Sequence, residues 1–317
     1  MKSAANPIAF FFNPRWKLFF ALSRTPHGLM DMATPCLAAC LWLGALPPLP
    51  VLLLGMITVF AGYTAVYALN DVIDFRVDQE KMGHEKIQVR TGTQDIDAAL
   101  VRHPMAQGLL QFREGLLWSL AWALVAVTGA AILNPVCAWI FLAGCILEAV
   151  YCLLLKVSPL RTLINGVVKT LGSVAAVYAV DPDPSPVFVA TLFFMLFFWE
   201  IGGQNIPNDA SDMEEDVRLG ARTVPVRFGL DFSAFAIVLT LGAALLLTPV
   251  LFSLSQARFE LPYHLVILGL GAWLLLIPAA GFRRHPSSAA AMMLFNRASL
   301  YPPVLFCIVA FKILVRP

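Results

Sequence analysis

The stretch NDVIDFRVDQ, residues 70–79, begins at the end of an apolar run and finishes as a string of charges. Its aspartates, Asp71, Asp74 and Asp78, are three and four residues apart, so in a helix they lie along one stripe. Neighbouring carboxylates repel one another at neutral pH, and a divalent cation is the natural compensation. The stretch therefore predicts a helix that leaves an apolar medium and carries a cation-binding face at its end.

The whole chain is unusually apolar. Of its 317 residues, 59% are hydrophobic and 13% are charged, and the mean hydropathy is +0.76. Soluble domains carry about 25% charged residues, so this composition predicts an integral membrane protein. The net charge of +2 argues against nucleic acid as a partner. The six cysteines lie in apolar segments without a CxxC pair, so we expect neither disulfides nor a zinc site.

Apolar segments long enough to cross a bilayer as a helix, about 20 residues each, recur along the chain. Proline and glycine separate most of them. The N-terminal residues lack the pattern of a cleavable signal peptide. We expect one all-α membrane domain over residues 1–317 with nine transmembrane helices. Their expected positions are about 27–46, 51–74, 112–133, 135–155, 161–180, 186–207, 232–254, 262–281 and 297–315.

Basic residues are distributed unevenly over the connections between these nine helices. If the helices alternate in direction, 18 of the 22 lysines and arginines fall on the side of the N-terminus and 3 on the other side. Cytoplasmic segments retain positive charge, so this bias predicts an inner or plasma membrane protein with a cytoplasmic N-terminus. The two long polar loops, about 70–111 and 208–231, lie on the same side, where we expect the functional site.

A second acidic stretch, NDASDMEED, begins at Asn208 and follows the sixth predicted helix. Asp209, Asp212 and Asp216 repeat the spacing of the first stretch. Acidic residues at helix ends often mark only the water interface, but two stretches with matching spacing on one side favour a shared ligand. Mg²⁺ fits, because it takes oxygen ligands and commonly completes its octahedron with water and phosphate oxygens.

These motifs resemble those of the UbiA superfamily of intramembrane prenyltransferases. NDVIDFRVD is similar to that family's NDxxDxxxD motif, and DMEED, residues 212–216, to its DxxxD motif. DVRLGARTVPVRFG, HPMAQGLLQFREGL, YCLLLKVSPL and LFNRASLYPP are similar to further family segments. The chain departs from the family pattern after Arg90, where a longer segment follows, and at His103, beside Arg102, where the family has arginine.

The resemblance implies the nine-helix UbiA fold and Mg²⁺-dependent transfer of a prenyl group from a prenyl diphosphate to a lipophilic acceptor, of the aromatic quinone-precursor type. Its motifs place the metal on Asp71, Asp74, Asp78, Asp212 and Asp216. Tyr151 and Lys156 match its tyrosine and lysine motif, and Arg90 and Arg102 stand near its diphosphate-binding arginines. On this interpretation, Asn70 and Asn208 orient the carboxylates, with Asp209 beside them.

Several further residues are candidates for substrate contacts at or below the interface. Arg24 and Arg161 are basic residues at the depth expected for a diphosphate, although positive-inside topology also explains them. Glu148, Lys169 and Glu200 lie roughly 12 Å below their loops, at 1.5 Å per helical residue. Glu148 and Lys169 are candidates for a structural ion pair, and Glu200 for the base that takes a proton from the acceptor. Gln204, Asn205 and Tyr67 precede the acidic stretches by about one turn and are expected to line the same pocket.

Two other functions remain compatible with the sequence. A UbiA-type terpene cyclase would ionise the same donor and quench the carbocation internally. A cation-coupled transporter would also need buried carboxylates, but transporters usually place them near the midplane, between repeats. The acidic stretches here lie at the interface, which favours the enzyme.

Overall fold

The computed structural model describes residues 14–82 and 100–315, and every regular element in these ranges is helical. The α-helices are α1 Pro14–Leu22, α2 Thr25–Asp31, α3 Ala33–Leu43, α4 Leu49–Ile73, α5 Phe75–Met82, α6 Phe112–Leu133, α7 Pro135–Leu153, α8 Arg161–Val180, α9 Pro186–Glu200, α10 Ile206–Ser211, α11 Met213–Leu219, α12 Val224–Ser253, α13 Leu261–Gly271, α14 Ile277–Arg284, α15 Ser288–Ser299 and α16 Tyr301–Leu314. Two π-helical turns, Ile201–Asn205 and Ala272–Leu276, join α9 to α10 and α13 to α14.

Eight helical stretches of the described chain are long and apolar enough to cross a membrane. They are α4, α6, α7, α8, α9 with α10, α12, α13 with α14, and α15 with α16. The chain is therefore a multi-pass membrane protein. The first predicted span, 27–46, is not a single helix but consists of the short helices α2 and α3.

Proline explains the interruption between α2 and α3. Pro35 has no N–H to donate to the carbonyl of Asp31, four residues earlier. The Thr34 hydroxyl takes over and donates to that carbonyl, 3.0 Å away. The span was predicted from its apolar residues alone. Apolarity does not reveal the lost backbone hydrogen bond, so the sequence predicts one continuous helix.

Local sequence signals set most of the other helix ends. Gln111 and Glu114 form a capping box at the start of α6. The side chain of Asn134 accepts a hydrogen bond from the N–H of Val136, 2.9 Å away, and Pro135 opens α7. The ranges 112–133 and 161–180 coincide with the predicted spans.

The predicted second loop, 208–231, is mostly helical, which corrects the expectation of a long polar loop. It contains part of α10, all of α11 and the first turns of α12. Gly229, with φ 81° and ψ 170°, interrupts the helical backbone within α12. These helices are too short for the sequence to show a helical repeat of apolar residues, because charged residues dominate the segment.

Helix α8 is the central helix of the bundle and packs against α3, α7 and α9. Its residues Arg161, Asn165 and Lys169 are four apart and therefore lie along one stripe. The largest cluster of buried apolar side chains is formed by α3, α9, α12 and the helices that follow, and it includes Val177 near the C-terminal end of α8. The polar stripe of α8 is thus held in place by apolar packing around it.

Gly44 provides a test of how tightly the bundle is joined. It ends α3 at φ 61°, and a Cβ there would lie 2.5 Å from the backbone nitrogen of Ala257. Gly44→Ala should destabilise the protein by about 2 kcal/mol or more, since both the conformation and the contact are unfavourable. Thermal unfolding in detergent measures the effect. Gly55→Ala is the control, because a Cβ at Gly55 meets no atom within 4 Å, and a result in which both variants unfold alike would contradict the argument.

Candidate active site

The two acidic stretches lie on the same cavity. The cavity has a volume of about 210 Å³ and is lined from the first stretch by Asp74 and Asp78 and from the second by Asp209, Asp212 and Asp216. Asn70 and Asn208 also line it. The structure therefore brings together acidic residues that are more than a hundred positions apart in the sequence.

Both stretches are built in the same way. Asp74 separates α4 from α5, and Asp212 separates α10 from α11, with φ and ψ of −80° and 2° and of −101° and 10°. The N–H of Asp78 donates to the carbonyl of Asp74, 2.8 Å away, and the N–H of Asp216 to that of Asp212, 3.0 Å away. Each joint therefore keeps an almost helical path, and the aspartates before and after it stay on one face.

Basic side chains tie the two halves of the site together. Arg102 donates to both carboxylate oxygens of Glu215 on α11, at 3.1 and 3.2 Å, and lies 3.8 Å from Asp212. Lys81, on α5, lies 3.6 Å from the same Glu215. The sequence analysis missed Lys81 and Glu215, although Lys81 is three residues after Asp78 and so shares its helical face.

Other predicted cations occupy different places. Arg24 lies 3.7 Å from Asp71 and Arg161 lies 3.7 Å from Asp209, and both line the cavity. Lys156 is outside the lining, where its Nζ donates to Glu80 at 2.7 Å. Lys156 is therefore peripheral to the cavity. Arg90 lies outside the described residues.

His103 occupies the position at which the family motif has arginine. Its Nδ1 lies 2.9 Å from an Asp78 oxygen and 3.4 Å from an Asp71 oxygen. Burial lowers the pKa of His103, but the two carboxylates, Asp71 first, outweigh it and leave this pKa above its usual value. Burial raises the pKa of Asp78, and His103 more than offsets this, so that the pKa lies below its usual value. The pair Asp71 and Asp78 therefore shares one imidazole.

Two further carboxylates outside the membrane spans, those of Asp74 and Asp216, have a pKa above the usual value. Burial, followed by the neighbouring Asp78, raises the pKa of Asp74. Burial also raises the pKa of Asp216, and the nearby charge of Asp212 adds to the effect. Both groups would therefore gain from a bound cation that compensates their charge.

Two buried carboxylate oxygens of the site have no hydrogen-bond partner among the residues that the structure describes. They are Oδ1 of Asp71 and Oδ2 of Asp209, one from each acidic stretch. A buried carboxylate oxygen without a partner is costly, and a divalent cation satisfies it. The donor set consists mainly of carboxylates at the cavity edge, and it fits Mg²⁺ held by one or two carboxylates with the rest of its shell open.

The widened π turn shapes the wall beyond the aspartates. Pro207 has no N–H for the carbonyl of Gly203, and the side chain of Gln204 donates to that carbonyl at 3.0 Å. Asn205, from the same turn, donates to the hydroxyl of Tyr151 at 3.3 Å. The guanidinium of Arg161 lies 4.0 Å from the centre of the Tyr151 ring. Gln204, Asn205 and Tyr151 all line the cavity.

The deepest part of the cavity contains a charged network that differs from the predicted ion pair of Glu148 and Lys169. Lys169 lies 2.7 Å from Asp31 on α2 and also donates to the hydroxyl of Tyr67. Glu148 accepts a hydrogen bond from Asn70 at 2.7 Å. Asn70 therefore binds Glu148, rather than the aspartates that it was expected to orient. The Lys169 ammonium also lies 4.4 Å from the centre of the Tyr67 ring.

Glu200, for which the sequence suggests no partner, accepts a hydrogen bond from Asn165 at 2.9 Å. It is 4% exposed and lines the cavity. Asn165 itself was missed, although its spacing of four from Arg161 places it on the same stripe.

A larger apolar cavity, of about 500 Å³, lies beside the polar one. The two share Tyr63, Val66 and Lys169 as lining residues. The apolar cavity follows α4 from Val51 to Val66, a length of roughly 22 Å at 1.5 Å per residue. A polar cavity suited to a charged head therefore lies next to an apolar cavity suited to a long tail.

The family model of the UbiA prenyltransferase family matches residues 32–300. The chain belongs to this family. It is 24% identical over 221 residues to the 4-hydroxybenzoate octaprenyltransferase of Shewanella oneidensis, covering 68% of this chain and 70% of the relative. It is 25% identical over 218 residues to the digeranylgeranylglyceryl phosphate synthase of Thermococcus sibiricus, covering 69% and 71%. As a UbiA-family protein, the chain is a prenyltransferase.

Solved UbiA structures show the same fold. A UbiA homolog from Archaeoglobus fulgidus bound to DMAPP and Mg²⁺ has a TM-score of 0.67 and 18% identity, covering 94% of this chain and 100% of the homolog. The apo structure of a UbiA homolog from Aeropyrum pernix K1 has a TM-score of 0.68 and 17% identity, covering 92% and 98%. The UbiA resemblance expected from the motifs is thereby confirmed.

Proposed function

We propose that this UbiA-family prenyltransferase transfers a prenyl group from a prenyl diphosphate, with Mg²⁺, to a lipophilic aromatic acceptor of the quinone-precursor type. One observation carries the proposal: the two acidic stretches line a single cavity with basic side chains, and a long apolar cavity lies beside it. Names of relatives add support, since one is a 4-hydroxybenzoate octaprenyltransferase.

The first step separates the prenyl group from its diphosphate. Asp71, Asp74, Asp78, Asp212 and Asp216 would hold Mg²⁺. When bound, Mg²⁺ neutralises charge on the diphosphate oxygens and makes diphosphate a better leaving group. Arg161, whose buried Nε has no hydrogen-bond partner, is placed to donate to a diphosphate oxygen. The allylic C–O bond then breaks, and its electron pair leaves with the diphosphate.

The second step joins the prenyl group to the acceptor. A carbon of the electron-rich ring attacks the allylic cation, and the ring then loses a proton to restore aromaticity. Glu200 is the proposed base, because its carboxylate is buried in the cavity wall and held by Asn165. Tyr67 also lines the cavity, and because one face of its ring meets the Lys169 ammonium, we assign Tyr67 to the cavity wall and not to stabilisation of the allylic cation.

The test uses the purified protein in lipid nanodiscs with Mg²⁺, a prenyl diphosphate and 4-hydroxybenzoate or a hydroquinone. We expect diphosphate release together with a prenylated aromatic product, identified by mass spectrometry. Formation of a cyclic hydrocarbon or alcohol without any acceptor would contradict this proposal and show that the protein is a terpene cyclase.

Glu200→Gln separates the two steps. We expect prenylated product to fall by about a hundredfold, the lower end of what a general base contributes. Slow diphosphate release without acceptor should stay close to wild type. Glu148→Gln is the matched control, because it is also a buried glutamate of the cavity wall but binds Asn70. Equal losses in both variants would exclude a specific base role for Glu200.

We further propose that the chain forms one membrane domain whose site and N-terminus face the cytoplasm. The bias of 18 basic residues to 3 supports this orientation. A membrane-impermeant maleimide should label Glu80→Cys, at an exposed position near the site, in inverted vesicles but not in intact cells. If intact cells were labelled above the level of the parent protein, the site would face the outside of the cell.

A further inference from the structure

His103 has an unusual backbone conformation for its side chain. Its φ is 48°, in the left-handed region that non-glycine residues rarely adopt, and its side chain is 8% exposed. Backbone strain of this kind persists where surrounding structure enforces it, and it is concentrated at functional sites. Here it directs the imidazole towards the carboxylates of Asp71 and Asp78.

The contact between the imidazole and these carboxylates is close, but its geometry is not that of a well-aligned hydrogen bond. Nδ1 of His103 lies 2.9 Å from Asp78 and 3.4 Å from Asp71, yet within the described part of the chain neither Nδ1 nor Oδ1 of Asp71 has an aligned hydrogen-bond partner. The oxygens therefore lie away from the axis of the ring nitrogen. Adjacent ligands of one metal ion have this arrangement, since bonds of about 2.1 Å at right angles place the ligand atoms roughly 3 Å apart.

The three ligand atoms already converge. One oxygen each of Asp71 and Asp78 and a ring nitrogen of His103 lie within 4.8 Å of one another, and no second group of this kind occurs in residues 14–82 and 100–315. Side-chain exposures of 4%, 5% and 8% leave these groups little access to water. The second acidic stretch contributes carboxylates without such a cluster.

We propose that His103 is a metal ligand, and that the first acidic stretch binds a first-row transition ion such as Mn²⁺ in preference to Mg²⁺. Mg²⁺ prefers oxygen ligands, whereas imidazole nitrogen binds transition ions more tightly. The proposal rests on the proposed function, because it concerns the same site, and it alters only the ion bound by the first half.

Pulsed electron paramagnetic resonance of the full-length protein loaded with Mn²⁺ tests the proposal directly. We expect a ¹⁴N coupling from a directly bound imidazole, and its conversion to the ¹⁵N pattern when the protein is produced with ¹⁵N-histidine. His103→Asn and His103→Arg should lose the coupling and weaken Mn²⁺ binding by about tenfold or more. His27→Gln, which changes another histidine of the cavity wall, should keep it.

Absence of a nitrogen coupling in wild type at saturating Mn²⁺, or its persistence in His103→Asn, would overturn the proposal and leave His103 as a cation paired with two carboxylates. The isotope experiment on wild type gives this answer even if the variants fail to fold. Prenyl transfer with Mg²⁺ is scored separately, so the proposed function stands or fails independently of the nitrogen coupling.

Discussion

Asp212→Asn should lower the rate of prenyl transfer by about a thousandfold, equivalent to roughly 4 kcal/mol in the activation free energy. Asp212 stands at the joint between α10 and α11, lines the cavity and lies 3.8 Å from Arg102. The amide keeps the size of the side chain and its contact with Ser211 but removes the negative charge proposed to bind the metal. Diphosphate release in nanodiscs, with and without Mg²⁺, measures the loss.

Glu214→Gln is the matched control for this prediction. Glu214 is exposed on the same short helix, is not part of the cavity wall, and its replacement also removes one negative charge. We expect it to retain nearly full activity, because exposed charges contribute little at this distance. If Asp212→Asn also kept full Mg²⁺-dependent release, the metal-site assignment would be wrong.

Lys169→Met should destabilise the protein by about 3 kcal/mol, because it leaves the buried carboxylate of Asp31 without its cation. Lys169 and Asp31 are 2.7 Å apart, with side-chain exposures of 20% and 13%, and they join α8 to α2 deep in the bundle. Thermal unfolding in detergent measures the loss. Combining Lys169→Met with Asp31→Asn should recover much of it, since the unpaired charge is then removed as well.

Lys312→Met provides the comparison for this second prediction. Lys312 also pairs with a carboxylate, at 2.8 Å, but its partner Glu260 is 62% exposed. Ion pairs of that kind contribute about 0 to 1 kcal/mol, so this variant should unfold close to wild type. Equal losses of stability in Lys169→Met and Lys312→Met would show that the buried ion pair stabilises the protein no more than the exposed one.

Much of the fold could be predicted because its causes are local. Uninterrupted apolarity over about 20 residues identifies a span, and a proline, glycine or capping residue ends it. The ranges 112–133 and 161–180 show the precision of such signals. The first predicted span is not one continuous helix, because Pro35 removes a backbone hydrogen bond that apolarity does not report, and the helices within 208–231 were missed because each is shorter than a clear period.

The sequence predicted those parts of the candidate site whose residues share one face of a single helix. Asp71, Asp74 and Asp78 share a face by their spacing, and the second stretch repeats that spacing. Lys156 was chosen by motif and spacing but lies outside the cavity lining, beside Glu80. The contacts of Lys156 depend on where α5 packs relative to α7. The spacing of residues along the sequence does not predict that packing.

The sequence by itself determined that this protein is helical, spans a membrane, belongs by its motifs to the UbiA prenyltransferases, and carries two acidic stretches at helix ends. These properties follow from composition and from spacings within single helices. Only the tertiary structure decided which charges meet: Lys169 pairs with Asp31, Arg102 with Glu215, and His103 stands between Asp71 and Asp78. Such pairings depend on the packing and depth of helices far apart in the chain, and a cation in an apolar interior takes whichever carboxylate that packing brings within reach.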